Sequence, residues 1–183
     1  MKKILLLFAL TAAVMTANAQ VKELEPYYIS EWIDPATFVK EECEGCPEDG
    51  EGDSAQDCFP VTNIKATSRL ASQGANNYNE KNLYDEDFKT SWVEGVKGYG
   101  IGEKITFTLE DVYAGATGII ITNGYSKSPT AWKNNSRVKK LKLSVDGDEM
   151  TRTFTVTLEI LDVYKGDKYD DTAISEVLFL GCY

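Results

Sequence analysis

Histidine is absent from the 183-residue chain. That removes the commonest general base and the commonest imidazole metal ligand. No serine or cysteine stands in a nucleophile motif such as Gly-x-Ser-x-Gly, so acyl transfer has no carrier. Basic residues are scarce: 19 Lys and Arg face 29 Asp and Glu, a formal charge of −10. Such a balance excludes nucleic acid and anionic membrane surfaces as expected partners. Beyond the first nineteen residues no long apolar run occurs, so membrane insertion is not expected.

What is present begins with an export signal. Lys2 and Lys3 give a basic start, Ile4 to Val14 an apolar run too short to span a bilayer, and Ala17-Asn18-Ala19 a small-x-small cleavage site. We read 1–19 as a signal peptide, with the mature chain starting at Gln20 and secreted or periplasmic. Its removal takes Lys and Arg from 19 to 17 against 29 acids, a formal charge of −12. No cysteine directly follows the apolar run, which argues against a lipid anchor. The four cysteines are Cys43, Cys46, Cys58 and Cys182. Export makes disulfides the default, and four cysteines allow three pairings. A zinc site is disfavoured by irregular spacing and an oxidising compartment. A redox-active pair is disfavoured by Glu42, Glu44 and Glu48, whose charge opposes a thiolate.

Residues 20–57 read as an acidic, cysteine-containing extension. "KEECEGCPEDGEGDS" (Lys40 to Ser54) holds almost no apolar group and cannot offset its own ordering entropy. From Cys58 to Tyr183 the pattern is β. Val61–Ala71 is rich in strand formers, and Ile105–Leu109 alternates with period two. Gly118–Thr122 is continuously apolar. Val138–Val145 sets Leu141, Leu143 and Val145 against Lys140, Lys142 and Ser144, and Asp146-Gly147 follows as a turn. Thr151–Ile160 alternates, and Ile174–Leu180 is a last strand. Only Glu80–Phe88 reads as a helical turn, and "GYGIGE" (Gly98 to Glu103) reads as a turn before a strand. The fold class is all-β, a sandwich.

Three segments carry a family resemblance. "ATSRLASQGANNYNEKNLYDEDFKTSWVEG" places Asn82, Leu83, Asp85, Asp87, Thr90 and Trp92 as in the opening of a discoidin-type, galactose-binding-like jelly roll. With "ITNGYSKSPTAWKNNSRVKKLKLSVDG" and "LEILDVYKGDKYDDTAISEVLFLG", the chain resembles the NADase-type glycan-binding, discoidin-like domains of bacterial secreted proteins. The match runs from Val61 to Gly181. One departure stands out: only Asp148 to Thr151 separate the Asp-Gly turn from the next strand, where the family has a longer stretch. A missing edge strand or loop is the expected consequence.

The resemblance implies a discoidin-like jelly-roll β-sandwich over 58–183 and one structural calcium ion. Asp85 and Glu176 would give side-chain oxygens, Thr90 a hydroxyl, and Asn82, Asp87 and Ser175 mainly backbone carbonyls. The residues alone also admit another reading, in which Asp85 and Asp87 cap a turn and Glu176 pairs with a lysine or arginine. The resemblance further implies a Cys58–Cys182 disulfide joining the two ends of the domain, with Cys43–Cys46 as the other.

Glycan binding calls for flat aromatics to stack on sugars and fixed polar groups for their hydroxyls. Tyr125, Trp132, Asn134 and Arg137 are the ligand candidates, with Trp132 expected to be exposed. Tyr125 plugging the end of the sandwich, and Arg137 bridging to Asp170 or Asp171, is the structural alternative. Tyr164-Lys165-Gly166 and Tyr169 to Thr172 read as scaffold. Asp85/Asp87 and Asp170/Asp171 are carboxylate pairs, but the sequence offers no cleft to set them apart for hydrolysis. The expected function is that of an exported, non-catalytic module binding carbohydrate at a cell or matrix surface. The alternative is a protein-interaction or scaffolding module of an exported complex.

Overall fold

The computed structural model describes residues 20–24, 61–110, 118–148 and 151–180. The segment read as a signal peptide, the acidic run and all four cysteines lie outside the described residues, and so do the readings of Cys43, Cys46, Cys58 and Cys182. Among the described residues eight strands are present: β1 Gln20–Leu24, β2 Val61–Ala66, β3 Trp92–Val93, β4 Lys104–Leu109, β5 Gly118–Asn123, β6 Ser136–Asp148, β7 Thr153–Tyr164 and β8 Thr172–Leu180. A 3-10 turn (Glu80–Leu83) and one short helix, α1 (Pro129–Asn134), complete the described elements. The all-β class is as the alternation predicts.

The strands form one curled sheet that folds into two layers. One layer runs β2-β4-β7-β6 with β1 on the outer edge of β6, and the other runs β3-β8-β5. They meet where Ser136 and Arg137 pair in parallel with Thr172 and Ala173. Alternation puts Ile105, Phe107 and Leu109 inside, opposite Leu158, Val156 and Phe154 of β7. Phe107 meets Phe179 of β8 across the layers, edge to face, with centroids 5.1 Å apart.

Three features depart from the sequence reading or refine it. β6 and β7 pair as far as Asp148 and Thr153, so the shortened stretch closes a hairpin between consecutive strands. β1 comes from the segment read as an extension, yet it is a strand of the domain's own sheet, its Leu24 in register with Leu141. Glu23 clasps Lys140 at 2.6 Å and Glu159 lies 3.8 Å from Lys142, so the basic face of β6 is matched by acids. Finally, the stretch before β6, outside the one helical turn read from the sequence, contains α1. Ser128 caps it, accepting the Ala131 amide at 3.1 Å, and Pro129 opens it.

Candidate functional site

α1, the turn before it and the segment ahead of the 3-10 turn enclose a cleft of about 380 Å³. Tyr78, Tyr125 and Tyr169 line it, together with Gln73, Asn76, Asn134, Asn135 and Asp171. Gly124 makes the approach to Tyr125 possible. Its φ is 104°, and a Cβ there would lie 2.7 Å from the Trp132 ring. Tyr78 and Tyr125 meet edge to face at 6.1 Å. Burial, and then Tyr78, push the Tyr125 hydroxyl above its ordinary pKa. Tyr169 is 42% exposed, with the Lys168 ammonium 5.0 Å from its ring centre. Burial, and then the neighbouring Asp170, raise the Asp171 carboxyl. Asn76 accepts from Lys127 Nζ at 2.6 Å, and Asn135 donates to the Ala131 carbonyl at 2.8 Å, so both amides are held in place.

Of the four ligand candidates, the structure brings Tyr125 and Asn134 to this cleft. Trp132 is a correction: it was expected to be exposed, and it is only 8% exposed. Its indole donates to the Asn123 carbonyl at 2.9 Å, and Arg137 stacks on its ring at 3.9 Å. The helix explains this, because its cap at Ser128 turns Trp132 inward. Arg137 is 8% exposed and donates to the Trp132 carbonyl at 2.7 Å, where the sequence suggested a bridge to Asp170 or Asp171. Trp132 and Arg137 form the floor that holds the loop. Beside α1, Asp167 N bonds Lys133 O, and Lys168 N and Tyr169 N bond Asn134 O; of the stretches read as scaffold, Tyr169 and Asp171 also line the cleft. Sequence reasoning missed Tyr78, Gln73, Asn76 and Asn135 as lining residues. The Gln73–Asn76 bridge forms a local turn whose place beside α1 depends on tertiary packing.

A second site lies at the 3-10 turn. Asp85 Oδ2 accepts from Thr90 Oγ1 at 2.8 Å, Asp85 Oδ1 accepts the Asp87 amide at 3.0 Å, and Asp87 Oδ1 accepts the Lys89 amide at 3.0 Å. Asp85 and Asp87 thus cap the turn, as one reading held. Glu176 does not pair with a base. It is 1% exposed, and neither carboxylate oxygen has a hydrogen-bond partner. Burial, and then Asp85, push its pKa up to about 8, offset only in part by the nearby Glu86 amide. Asn82 donates its side-chain amide to Asn77 O and Ser91 O, leaving its carbonyl as the group to consider. The Ser175 hydroxyl is likewise engaged, with Ser91, Ser126 and Gly124. Among the described residues no three Asp, Glu, Cys or His side chains form a metal-ligating group. Calcium does not require three, since carbonyls and hydroxyls complete its shell. The bare carboxylate beside Asp85 is the observation that fits a cation here.

The described fold is a discoidin-like β-sandwich with a loop-end cleft. A family model described as NAD glycohydrolase translocation F5/8 type C domain matches residues 56–153 and 148–180. Together these cover 56–180, 125 of 183 residues, and the chain belongs to this family. No curated protein and no solved structure matches the chain.

Proposed function

We propose that the protein is an exported, non-catalytic binding module whose cleft takes a carbohydrate. The observation that carries this reading is the cleft itself, where three tyrosines, Tyr169 the exposed one, are interleaved with four amide residues, Asn76 and Asn135 held in place. Tyrosine faces suit the apolar faces of sugar rings, and amides both donate to and accept from hydroxyls. The family's description names a translocation domain, in keeping with export and with a task other than catalysis. No helix among the described residues is long and apolar enough to cross a membrane.

Glycan-array binding by the mature protein tests the reading. Tyr169→Ala and Asn134→Ala each lower the signal about tenfold or more, a loss of one stacking or hydrogen-bonding contact. Neither is a core residue, so both leave the melting temperature near wild type. A blank array, with a protein captured stably in pull-down, would favour the second reading, a protein-interaction or scaffolding module. The word translocation in the family description supports that alternative.

The second site completes the proposal with one structural calcium ion. Asp85 and Glu176 would hold it by carboxylate, Thr90 by hydroxyl, and Asn82, Asp87 and Ser175 by carbonyl. Bound there, the cation would neutralise the buried Glu176 charge and hold the loop from Asn82 to Ser91 against β8. Calcium raises the melting temperature and a chelator lowers it; no movement in either direction would sink this site.

A further inference from the structure

The acidic loop and the tyrosine cleft share one buried row of hydroxyls, and we infer that this row couples them, so that a divalent cation in the loop firms the cleft. The inference rests on the cation reading of Asp85 and Glu176. Ser175 is the extra residue of a bulge in β8, where Thr122 faces Glu176 and Asn123 faces Ile174. Bulges re-aim side chains, and this one sets Ser175 between the two loops. Its Oγ lies 2.6 Å from Ser91 Oγ. It also lies 2.9 Å from the Gly124 carbonyl and accepts the Ser126 amide at 3.0 Å. Ser91 Oγ in turn lies 2.6 Å from the Thr90 carbonyl. Both serines are buried.

Three oxygen–oxygen gaps therefore run in a row: Thr90 to Ser91, Ser91 to Ser175, and Ser175 to Gly124. Each gap takes one proton, and two hydroxyls supply only two. In one arrangement Ser91 donates to Thr90 and Ser175 donates to Ser91, leaving the Gly124 carbonyl without its donor. In the other, Ser91 donates to Ser175 and Ser175 donates to Gly124, leaving the Thr90 carbonyl without one. Turning both protons outward would leave two bare hydroxyl oxygens 2.6 Å apart. The acidic loop and the turn before Tyr125 thus compete for one hydrogen bond.

A cation settles the competition. Held by the Thr90 hydroxyl, it also attracts the same residue's carbonyl oxygen and weakens that oxygen's hold on the Ser91 proton. The row then points to Gly124, the residue before Tyr125. A second tie reaches the other wall. Asn82 Nδ2 donates to the Ser91 carbonyl at 2.9 Å and to the Asn77 carbonyl at 3.1 Å, next to Tyr78. The two tyrosines that pack edge to face in the cleft are both tethered to the acidic loop.

The test uses the mature protein and calcium chloride alone, with two readouts: heat of binding, and amide exchange at Ser126. In the wild type, calcium binds and slows Ser126 exchange about fivefold, the effect of one strengthened hydrogen bond. Ser91→Ala binds calcium with a Kd within about threefold of wild type, yet its Ser126 exchange no longer responds. Ser91→Thr keeps the hydroxyl and restores the response. Ser175→Ala breaks the row from the other side and abolishes the response, judged by exchange alone. A response in Ser91→Ala equal to wild type overturns the coupling. So does a wild type that binds calcium with no change at Ser126. Absence of any heat of binding overturns the cation site itself, and the coupling with it.

Discussion

Two buried residues define what single side chains do here. Glu176 holds a carboxyl with no partner, and its pKa is raised from 4.5 to about 8. A carboxyl that binds its proton more tightly in the folded than in the unfolded chain stabilises the fold fully below pH 4.5. That contribution is lost as pH rises through about 8. In chelator, wild-type stability should therefore fall between these values, as read by denaturant titration at several pH values. Glu176→Gln keeps the shape, carries no charge and should flatten the fall. Trp132 gives the second prediction. Its ring is buried under Arg137 and against Gly124, so Trp132→Ala costs about 3–5 kcal/mol of stability. Any loss of ligand binding follows from lost fold, and thermal melting separates the two. Gly124→Ala has the same target: it meets the indole and adopts φ 104°, costing more than about 1 kcal/mol.

Elements differ in how far the sequence exposes them. β4 and β7 were legible because one face is buried and the other wet, which writes a period of two into the chain. β5 buries Ile119, Ile120 and Ile121 alike, and the continuous apolar run Gly118–Thr122 was legible for that reason. α1 was not. Six residues give fewer than two helical turns, too few for a 3.6-residue repeat to show, and only Ser128-Pro129 marked its start. β3 has two residues, too few for any period. β1 escaped notice because its partner lies far along the chain, at Leu141 to Val145. Removing Gln20–Leu24 should leave that edge of β6 open. Amides from Leu141 to Val145 then exchange faster, and the truncated protein self-associates more readily. Exchange followed by mass spectrometry, with light scattering beside it, checks both.

At the scale of the whole molecule, the acidic charge and the pairing that the family resemblance implies for Cys58 and Cys182 bear on how the domain survives outside a cell. Non-reducing peptide mapping should find Cys58 joined to Cys182 and Cys43 to Cys46. Reduction of the first bond, which closes a loop of over a hundred residues, costs about 4–5 kcal/mol in the chain-entropy model. A Cys46–Cys58 peptide would refute that pairing. The amino-acid sequence by itself determined the all-β class, the strands with clear alternation, the acidic loop at Asp85 and Asp87 and the place of Glu176 in the last strand. These are local patterns, set by spacing along the chain. Only the tertiary structure decided that Trp132 is floor and not platform, that Tyr78 and Asn76 join Tyr125 and Asn134, and that Ser175 links two loops. Those facts depend on which distant segments pack together, and a curled sheet brings together residues that no local period relates.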